Sequence, residues 1–321
     1  MFNFILNLPD LILVLLGFIL LISGGESVVQ GAITLARKIN VSPLLIGFTI
    51  VAIGTSLPEL AVTIKAVSSN SQELVDLAVG GVLGSNVANI MLVLGTAAML
   101  GACDEPGLGI KKDAIAVMVA SAILLITVMQ GEISGLIGTL MLLSLIFYYI
   151  YSYNYSKKLG LEEEIDETWI GENMILAIII TVIGGIMIFL GAEFLIEGAT
   201  GIANSMGISE TIVGLSVIAL GTSLPELAVT IIAAVRGHEG VAIGNVLGSN
   251  VINILGILGV SSAYAGGIDI SNEFLGRDIW VVLITSGLIA AMLLGERRIG
   301  KRMGATMVAG YLFYMILLYT I

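Results

Sequence analysis

The chain has 321 residues, of which 57% are hydrophobic and only 12% are charged, and its mean hydropathy is +1.07. A water-soluble protein of this size could not bury so much apolar surface, so the composition excludes a soluble globular domain and predicts an integral membrane protein in contact with a lipid bilayer. The formal net charge of −11 gives no reason to expect nucleic acid as a partner, and the single cysteine, Cys103, excludes an internal disulfide.

Ten apolar runs separated by polar breaks predict an all-α membrane protein with ten transmembrane helices. The first run has no basic segment before it and no cleavage pattern after it, so we interpret it as a retained span. The longest polar segment, 156–172, is rich in glutamate, and we expect it to be a cytoplasmic acidic linker between five-helix units at 1–155 and 173–321. The predicted spans lie near residues 9–36, 42–69, 74–99, 113–130, 133–154, 173–203, 209–235, 240–264, 277–294 and 301–320.

The two predicted units are copies of one another. Residues 24–63 align without a gap to 191–230, at an offset of 167, with 18 of 40 positions identical. The likeness returns at 80–90 (GGVLGSNVANI) and 244–254 (GNVLGSNVINI), at an offset of 164. Chance similarity between apolar helices would not repeat these polar motifs in the same order, so the chain contains an internal duplication.

An odd number of spans in each unit predicts that the second copy enters the membrane from the opposite side. With the amino terminus outside, only Lys65 and Arg277 fall on the outer side, and the other eleven lysines and arginines fall on the cytoplasmic side. This bias predicts that both termini lie outside the cell membrane. An inverted repeat of this kind is typical of secondary transporters. The eleven are Arg37, Lys38, Lys111, Lys112, Lys157, Lys158, Arg236, Arg297, Arg298, Lys301 and Arg302.

The ten-residue string GTSLPELAVT occurs twice, at 54–63 and 221–230. Each copy places a proline beside a glutamate inside an apolar run, as Pro58–Glu59 and Pro225–Glu226. Proline donates no N–H, so it frees the carbonyl four residues before it and favours a break in the helix. A carboxylate, two hydroxyls and a freed carbonyl then lie together, and oxygen ligands of this kind suit calcium and sodium.

The second repeated motif adds neutral oxygens to this set. Ser85 and Asn89 are four residues apart and share one helix face, and Ser249 and Asn253 do the same in the second copy. Simple kinks and helix-packing surfaces are common uses of proline, glycine and serine in membrane helices. Neither use explains the two glutamates, because ionisable groups within a bilayer are costly and usually mark a pathway.

Two further glutamates are related by the repeat. Glu26 and Glu193 fall well inside the first and sixth predicted spans. They could line an aqueous route or form buried hydrogen bonds, and we leave them outside the predicted ion site.

The two motifs, G-T-S-L-P-E followed by G-S-N-x-x-N in each half, closely resemble the α-repeats of the calcium:cation antiporter superfamily, and most of all those of prokaryotic sodium/calcium exchangers. The resemblance spans nearly the whole chain. It implies ten transmembrane helices in inverted halves, with the second, third, seventh and eighth forming the ion site. It implies transported Ca²⁺ and Na⁺ with no cofactor and no obligate protein partner. The implied ligands are Ala52, Thr55, Ser56, Glu59, Ser85, Asn89, Ala219, Thr222, Ser223, Glu226, Ser249 and Asn253.

Two positions depart from exact repetition or from the family pattern. Gly81 stands where the second copy has Asn245, and some prokaryotic members of the family have an aspartate where this chain has Asn253. The amide leaves the central charge at −2 and favours a potassium-independent exchanger. Proton-coupled relatives typically have a glutamate in a G-N-x-x-E pattern, and that pattern is absent from this chain.

We therefore expect an antiporter that exchanges sodium for calcium by alternating access, with a proton-coupled antiporter for calcium or another divalent cation as the alternative. A cation channel is less well supported, because the site is built from two occluding repeats. An intramembrane enzyme is not expected, since no His pair, Ser–Lys pair or paired-Asp signature is present.

Overall fold

The computed structural model describes residues 9–69, 71–103, 109–159, 168–206, 221–295 and 297–320. The described chain is almost entirely helical, as the apolar runs predict. Its helices are α1 (Asp10–Ile39), α2 (Pro43–Thr55), α3 (Leu57–Val67), α4 (Gln72–Leu100), α5 (Ile110–Gln130), α6 (Gly135–Leu159), α7 (Met174–Ser205), α8 (Leu224–Val235), α9 (Glu239–Ala265), α10 (Asp278–Leu294) and α11 (Lys301–Thr320).

Three details differ from the sequence-based expectations. A short antiparallel ribbon joins β1 (Glu132–Ser134) to β2 (Gly267–Asp269), so the all-α prediction missed one small pair of strands. The helix predicted at 133–154 continues to Leu159. The first part of the span predicted at 209–235 lies outside the described residues.

The repeated proline motif breaks the helix where the sequence predicts. Together, α2 and α3 are long and apolar enough to form one membrane span, but the two helices meet at an angle of 46° at Ser56. Pro58 lies in the first turn of α3, where its missing N–H costs no helical hydrogen bond. Ser223 precedes α8 with nearly the same backbone angles, φ −90° and ψ 0° against −88° and 5° at Ser56. The two copies of the motif therefore produce the same local structure.

Among the described residues, six helices are long and apolar enough to cross a membrane, namely α1, α4, α5, α6, α7 and α9, and the bent pair α2–α3 makes a seventh. The shorter helices α8 and α10 are also apolar. Large apolar side chains cover the outside of the bundle, such as Phe147 and Ile175, which are 73% and 71% exposed. Exposed apolar surface of this extent requires a lipid environment, so the chain is a membrane protein with several spans.

Helices α1 and α7 pack against each other through glycines. A methyl group at Gly17 would lie 2.8 Å from the carbonyl oxygen of Gly191, and one at Gly24 would lie 2.7 Å from that of Gly184. Rising residue numbers in α1 meet falling numbers in α7, so the two helices run in opposite directions. Under the offset of 167, Gly17 corresponds to Gly184 and Gly24 to Gly191, so the two contacts are equivalent.

The last helix of each half packs against the other half in the same reciprocal way. On α6, a methyl group at Gly138 would lie 2.7 Å from the carbonyl oxygen of Gly259 in α9. On α4, a methyl group at Gly95 would lie 3.0 Å from the carbonyl oxygen of Gly304 in α11. Each half thus supplies one helix to the other half, and these close contacts hold α4 and α9 at the centre of the bundle.

Candidate cation-binding site

Four helical segments bring the repeated motifs together in the centre of the protein. They are the α2–α3 break and α4 from the first half, and the start of α8 together with α9 from the second. The motif side chains are buried: Glu59 is 4% exposed and Glu226 is 0% exposed. α9 is the most deeply buried of the described long helices, since residues 240–259 are all buried.

The Glu226 carboxylate accepts hydrogen bonds from both halves. Its Oε1 atom lies 3.3 Å from the hydroxyl of Ser56 and 3.5 Å from that of Ser249. Ser56 ends the first broken helix and Ser249 lies on α9, so one carboxylate oxygen connects two elements that are distant in sequence. This geometry places an acidic side chain at the interface between the repeats.

Glu59 is linked to the second half through Ser85. The hydroxyl of Ser85 lies 3.5 Å from Glu59 Oε1, and the same hydroxyl accepts a hydrogen bond from Asn253 Nδ2 at 3.2 Å. Asn253 lies one turn beyond Ser249 on α9, whose hydroxyl contacts Glu226. The two carboxylates are therefore connected by short polar contacts across one cluster.

Several oxygen atoms in this cluster have no hydrogen-bond partner among the described residues. They include the second carboxylate oxygen of each glutamate, the hydroxyl of Ser223 and the side-chain oxygens of Asn89 and Asn253. A buried polar atom without a partner costs about 1–3 kcal/mol, so such atoms are rare unless they serve a ligand. These oxygens are the ligands that calcium and sodium prefer, and the amide nitrogens of Asn89 and Asn250 also lack a partner among the described residues.

The local helix geometry around the motifs is irregular. π-helical turns span Gly47–Val51 in α2, Asn89–Leu94 in α4 and Ile252–Leu258 in α9. π-helical turns leave the regular backbone pattern and frequently occur at functional sites. Here they adjoin Ala52 and contain Asn89 and Asn253, three of the predicted ligands, which indicates that the backbone is adjusted around the site.

The structure brings most of the predicted ligands together, with three qualifications. The carbonyl of Ala52 already accepts the N–H of Ser56 at 3.1 Å and the hydroxyl of Thr55 at 3.3 Å. Thr222 is half-buried and has no hydrogen bond among the described residues. Ala219 lies outside the described residues.

Three asparagines that belong to the cluster, Asn86, Asn245 and Asn250, were not among the predicted ligands. Asn86 Oδ1 accepts a hydrogen bond from Asn253 at 3.0 Å, and Asn86 Nδ2 donates to the carbonyl of Asn250, its own repeat partner, at 3.3 Å. Asn245 contacts Thr55 and Thr230. Asn86 and Asn250 lie within the repeated G-S-N string, so the repetition marked them. Only the serine of that string was included in the predicted site.

The two additional glutamates do not join the cluster. Glu26 forms an ion pair with Arg236 at 2.9 Å and accepts a hydrogen bond from Gln30 at 3.1 Å. Glu193 is exposed and has no ion pair with a described residue. In the described ranges no three Asp, Glu, His or Cys side chains converge as a metal site.

Comparison with known proteins gives consistent matches over nearly the full length. The chain is 32% identical to the putative antiporter CaxA of Alkalimonas amylolytica over 323 aligned residues, covering 96% of this chain and 98% of the relative. It is 30% identical to the sodium/calcium exchanger MaX1 of Methanosarcina acetivorans, covering 79% of this chain and 83% of the relative.

A solved structure matches the fold as well as the sequence. The sodium-calcium exchanger NCX_Mj, soaked with sodium and without calcium, superposes with a TM-score of 0.81 at 30% sequence identity. The match covers 96% of this chain and 98% of NCX_Mj. The model of the sodium/calcium exchanger protein family matches residues 10–154 and 176–320, one match in each half. The chain therefore belongs to the sodium/calcium exchanger protein family.

Proposed function

We propose that this protein exchanges sodium for calcium across the cell membrane by alternating access. The observation that carries the proposal is the pair of buried glutamates, one from each half, whose free oxygens lie in a cluster of neutral hydroxyls and amides. Two carboxylates neutralise one Ca²⁺, or most of the charge of a few Na⁺ ions. Ions of both kinds accept hard oxygen ligands and would compete for the same atoms.

Charge provides the coupling. With the cluster empty, moving the apolar pair α1–α7 across it would cover two bare negative charges with apolar surface, which is costly. Binding of calcium or sodium removes most of that cost, so the occupied protein changes conformation and the empty one does not. This rule produces exchange, because one ion must bind before the other can be carried back.

We propose ten transmembrane helices arranged as two inverted five-helix repeats, separated by the linker at 156–172. Two observations support this arrangement: α1 and α7 run in opposite directions, and their glycine contacts are equivalent under the repeat. The contact between Asn86 and its repeat partner Asn250 is also expected near a two-fold axis between the halves. In this arrangement the packed pair α1–α7 moves across the central helices.

Sodium is the proposed driving ion because the cluster contains few groups that can exchange a proton. Asn89 and Asn253 are amides, so the central titratable groups are Glu59 and Glu226. The name of MaX1, a sodium/calcium exchanger, agrees with sodium coupling. Proton coupling with calcium or another divalent cation remains the alternative outcome.

Calcium efflux from loaded proteoliposomes tests the proposal. Efflux should be fast with sodium outside and slow with choline or potassium outside at constant pH. Vesicles that contain Glu226→Gln protein provide the matched control, because the substitution keeps the side-chain shape and removes one charge. Efflux that follows an imposed pH gradient and ignores sodium would instead assign proton coupling.

Single cysteines test the proposed orientation in a Cys103→Ser background. Ser68 and Trp169 are both exposed, and the distribution of lysine and arginine places Ser68 outside and Trp169 inside. Cysteines at these two positions should react with an impermeant reagent from opposite sides of right-side-out vesicles. Reaction of both from the same side would contradict the inverted repeat.

A further inference from the structure

Asn245 links the two halves directly beside the cation cluster. It is fully buried on α9, and its Nδ2 atom donates to the hydroxyl of Thr230 at 3.0 Å and to the backbone carbonyl of Glu226 at 3.3 Å. Its Oδ1 atom lies 3.2 Å from the hydroxyl of Thr55, in the other half. One amide therefore joins α9, α8 and the end of α2.

The chemistry of these partners fixes the orientation of the amide. A backbone carbonyl only accepts hydrogen bonds, so the nitrogen of Asn245 must face Glu226 and the oxygen must face Thr55. The Thr55 hydroxyl has one hydrogen, which it can donate to Asn245 Oδ1 at 3.2 Å or to the Ala52 carbonyl at 3.3 Å, and the bond to Asn245 is the shorter. A hydroxyl that binds a cation must direct its hydrogen away from the ion, so this bond leaves the lone pairs of Thr55 available to the cluster.

The first half lacks this arrangement. The repeat partner of Asn245 is Gly81, which has no side chain to hold Thr222, the partner of Thr55. Thr63, the partner of Thr230, donates its own hydroxyl to the carbonyl of Glu59 at 2.7 Å. The backbone carbonyl of each glutamate is thus contacted by a different group: Asn245 in the second half, and a threonine of the same helix in the first.

We propose that Asn245 is a positioning residue for ion binding, which orients the Thr55 hydroxyl and holds the Glu226 segment so that this half of the site is formed before the ion arrives. The symmetry-related side of the site, formed by Glu59 and Thr222, has Gly81 in place of this amide and lacks the equivalent support among the described residues. The inference rests on the proposed function, and it goes beyond the ligand set because Asn245 acts through Thr55 rather than by contacting the ion.

A double-mutant cycle tests this assignment. Asn245→Leu keeps the volume of the side chain and removes its hydrogen bonds, and Thr55→Val removes the hydroxyl. Asn245→Leu should raise the calcium concentration that gives half-maximal exchange by about tenfold, the effect expected for one misplaced buried polar partner. In a Thr55→Val background the same substitution should raise it much less.

Thr222→Val provides the matched control, because Thr222 is the repeat partner of Thr55 and has no described contact with Asn245. The effects of Asn245→Leu and Thr222→Val should be additive. A structural role alone would lower the amount of folded protein and the maximal rate in each background, without selective coupling to Thr55. Equal coupling to both threonines, or none to either, would overturn the proposal.

A second comparison keeps the test informative if Asn245→Leu fails to fold. Thr230→Val removes one partner of the Asn245 nitrogen and leaves the bond between Asn245 and Thr55 in place. It should therefore change the calcium concentration that gives half-maximal exchange less than Thr55→Val does. The opposite order would overturn the proposal. Calcium-dependent protection against thermal unfolding measures the same affinities without transport, so failure of sodium coupling in the wild-type protein is separable from failure of Asn245 to position the site.

Discussion

Gly184 and Gly185 are adjacent in α7 and differ sharply in their surroundings. A methyl group at Gly184 would lie 2.7 Å from the carbonyl oxygen of Gly24 and 2.8 Å from Cβ of Ser27, both in α1. A methyl group at Gly185 would have no described atom within 4 Å. We predict that Gly184→Ala destabilises the protein and that Gly185→Ala does not.

The magnitude follows from two terms. Alanine is better than glycine in a helix interior by about 1 kcal/mol, and both substitutions gain this amount because both sites lie within α7. Only Gly184→Ala forces a methyl against the backbone of a neighbouring helix, and overpacking of this kind costs about 1–3 kcal/mol. The propensity gain cancels in the comparison, so the two variants should differ in stability by about 1–3 kcal/mol.

Thermal unfolding of the two variants in detergent measures the difference. The Tm of Gly184→Ala should be a few degrees below that of Gly185→Ala, whose Tm should equal or exceed that of the wild type. Gly24→Ala approaches the same contact from α1 and should resemble Gly184→Ala, and the double variant should be non-additive because the two sites touch. Equal Tm values for Gly184→Ala and Gly185→Ala would refute the close contact between α1 and α7.

Three further predictions concern charged groups. Glu59→Gln and Glu226→Gln should each abolish calcium exchange in vesicles while the protein elutes as a folded species; exchange at the wild-type rate by either would disprove the site. Lys112 lies 2.6 Å from the buried carboxylate of Asp113, so Lys112→Met should lower stability by about 3–5 kcal/mol, and adding Asp113→Asn should restore much of the Tm. Glu26→Gln removes a more exposed ion pair and should change stability by less than about 1 kcal/mol; a Tm loss as large as that of Lys112→Met would contradict this ranking.

The helices were predictable because their signals are local. The apolar run at 74–99 becomes α4 at Gln72–Leu100, and the run at 240–264 becomes α9 at Glu239–Ala265. The break at Ser56 was predictable because proline acts on its own helix. The ribbon between β1 and β2 was not predictable, since its two strands come from different halves. The π-helical turns were also not predicted.

The candidate site was predictable as far as repetition could reveal it. The two glutamates stood out because a charged group recurs at an equivalent apolar position. Asn245 was noticed as a departure from Gly81, but its contact with Thr55 joins residues from opposite halves and appears only after folding. Repetition identifies what the halves share, and the tertiary contacts identify where they differ.

The reciprocal packing of α6 on α9 and of α11 on α4 has a consequence for biosynthesis. When the ribosome has completed the first half, the faces of α6 and α4 that carry Gly138 and Gly95 still lack the glycines they will contact, Gly259 and Gly304. The glycine faces of α4 and α6 therefore contact lipid until the second half has been translated and inserted. The contacts are noncovalent, so we expect two separately translated halves to assemble in the membrane. The covalent connection between them only raises the frequency with which the halves meet.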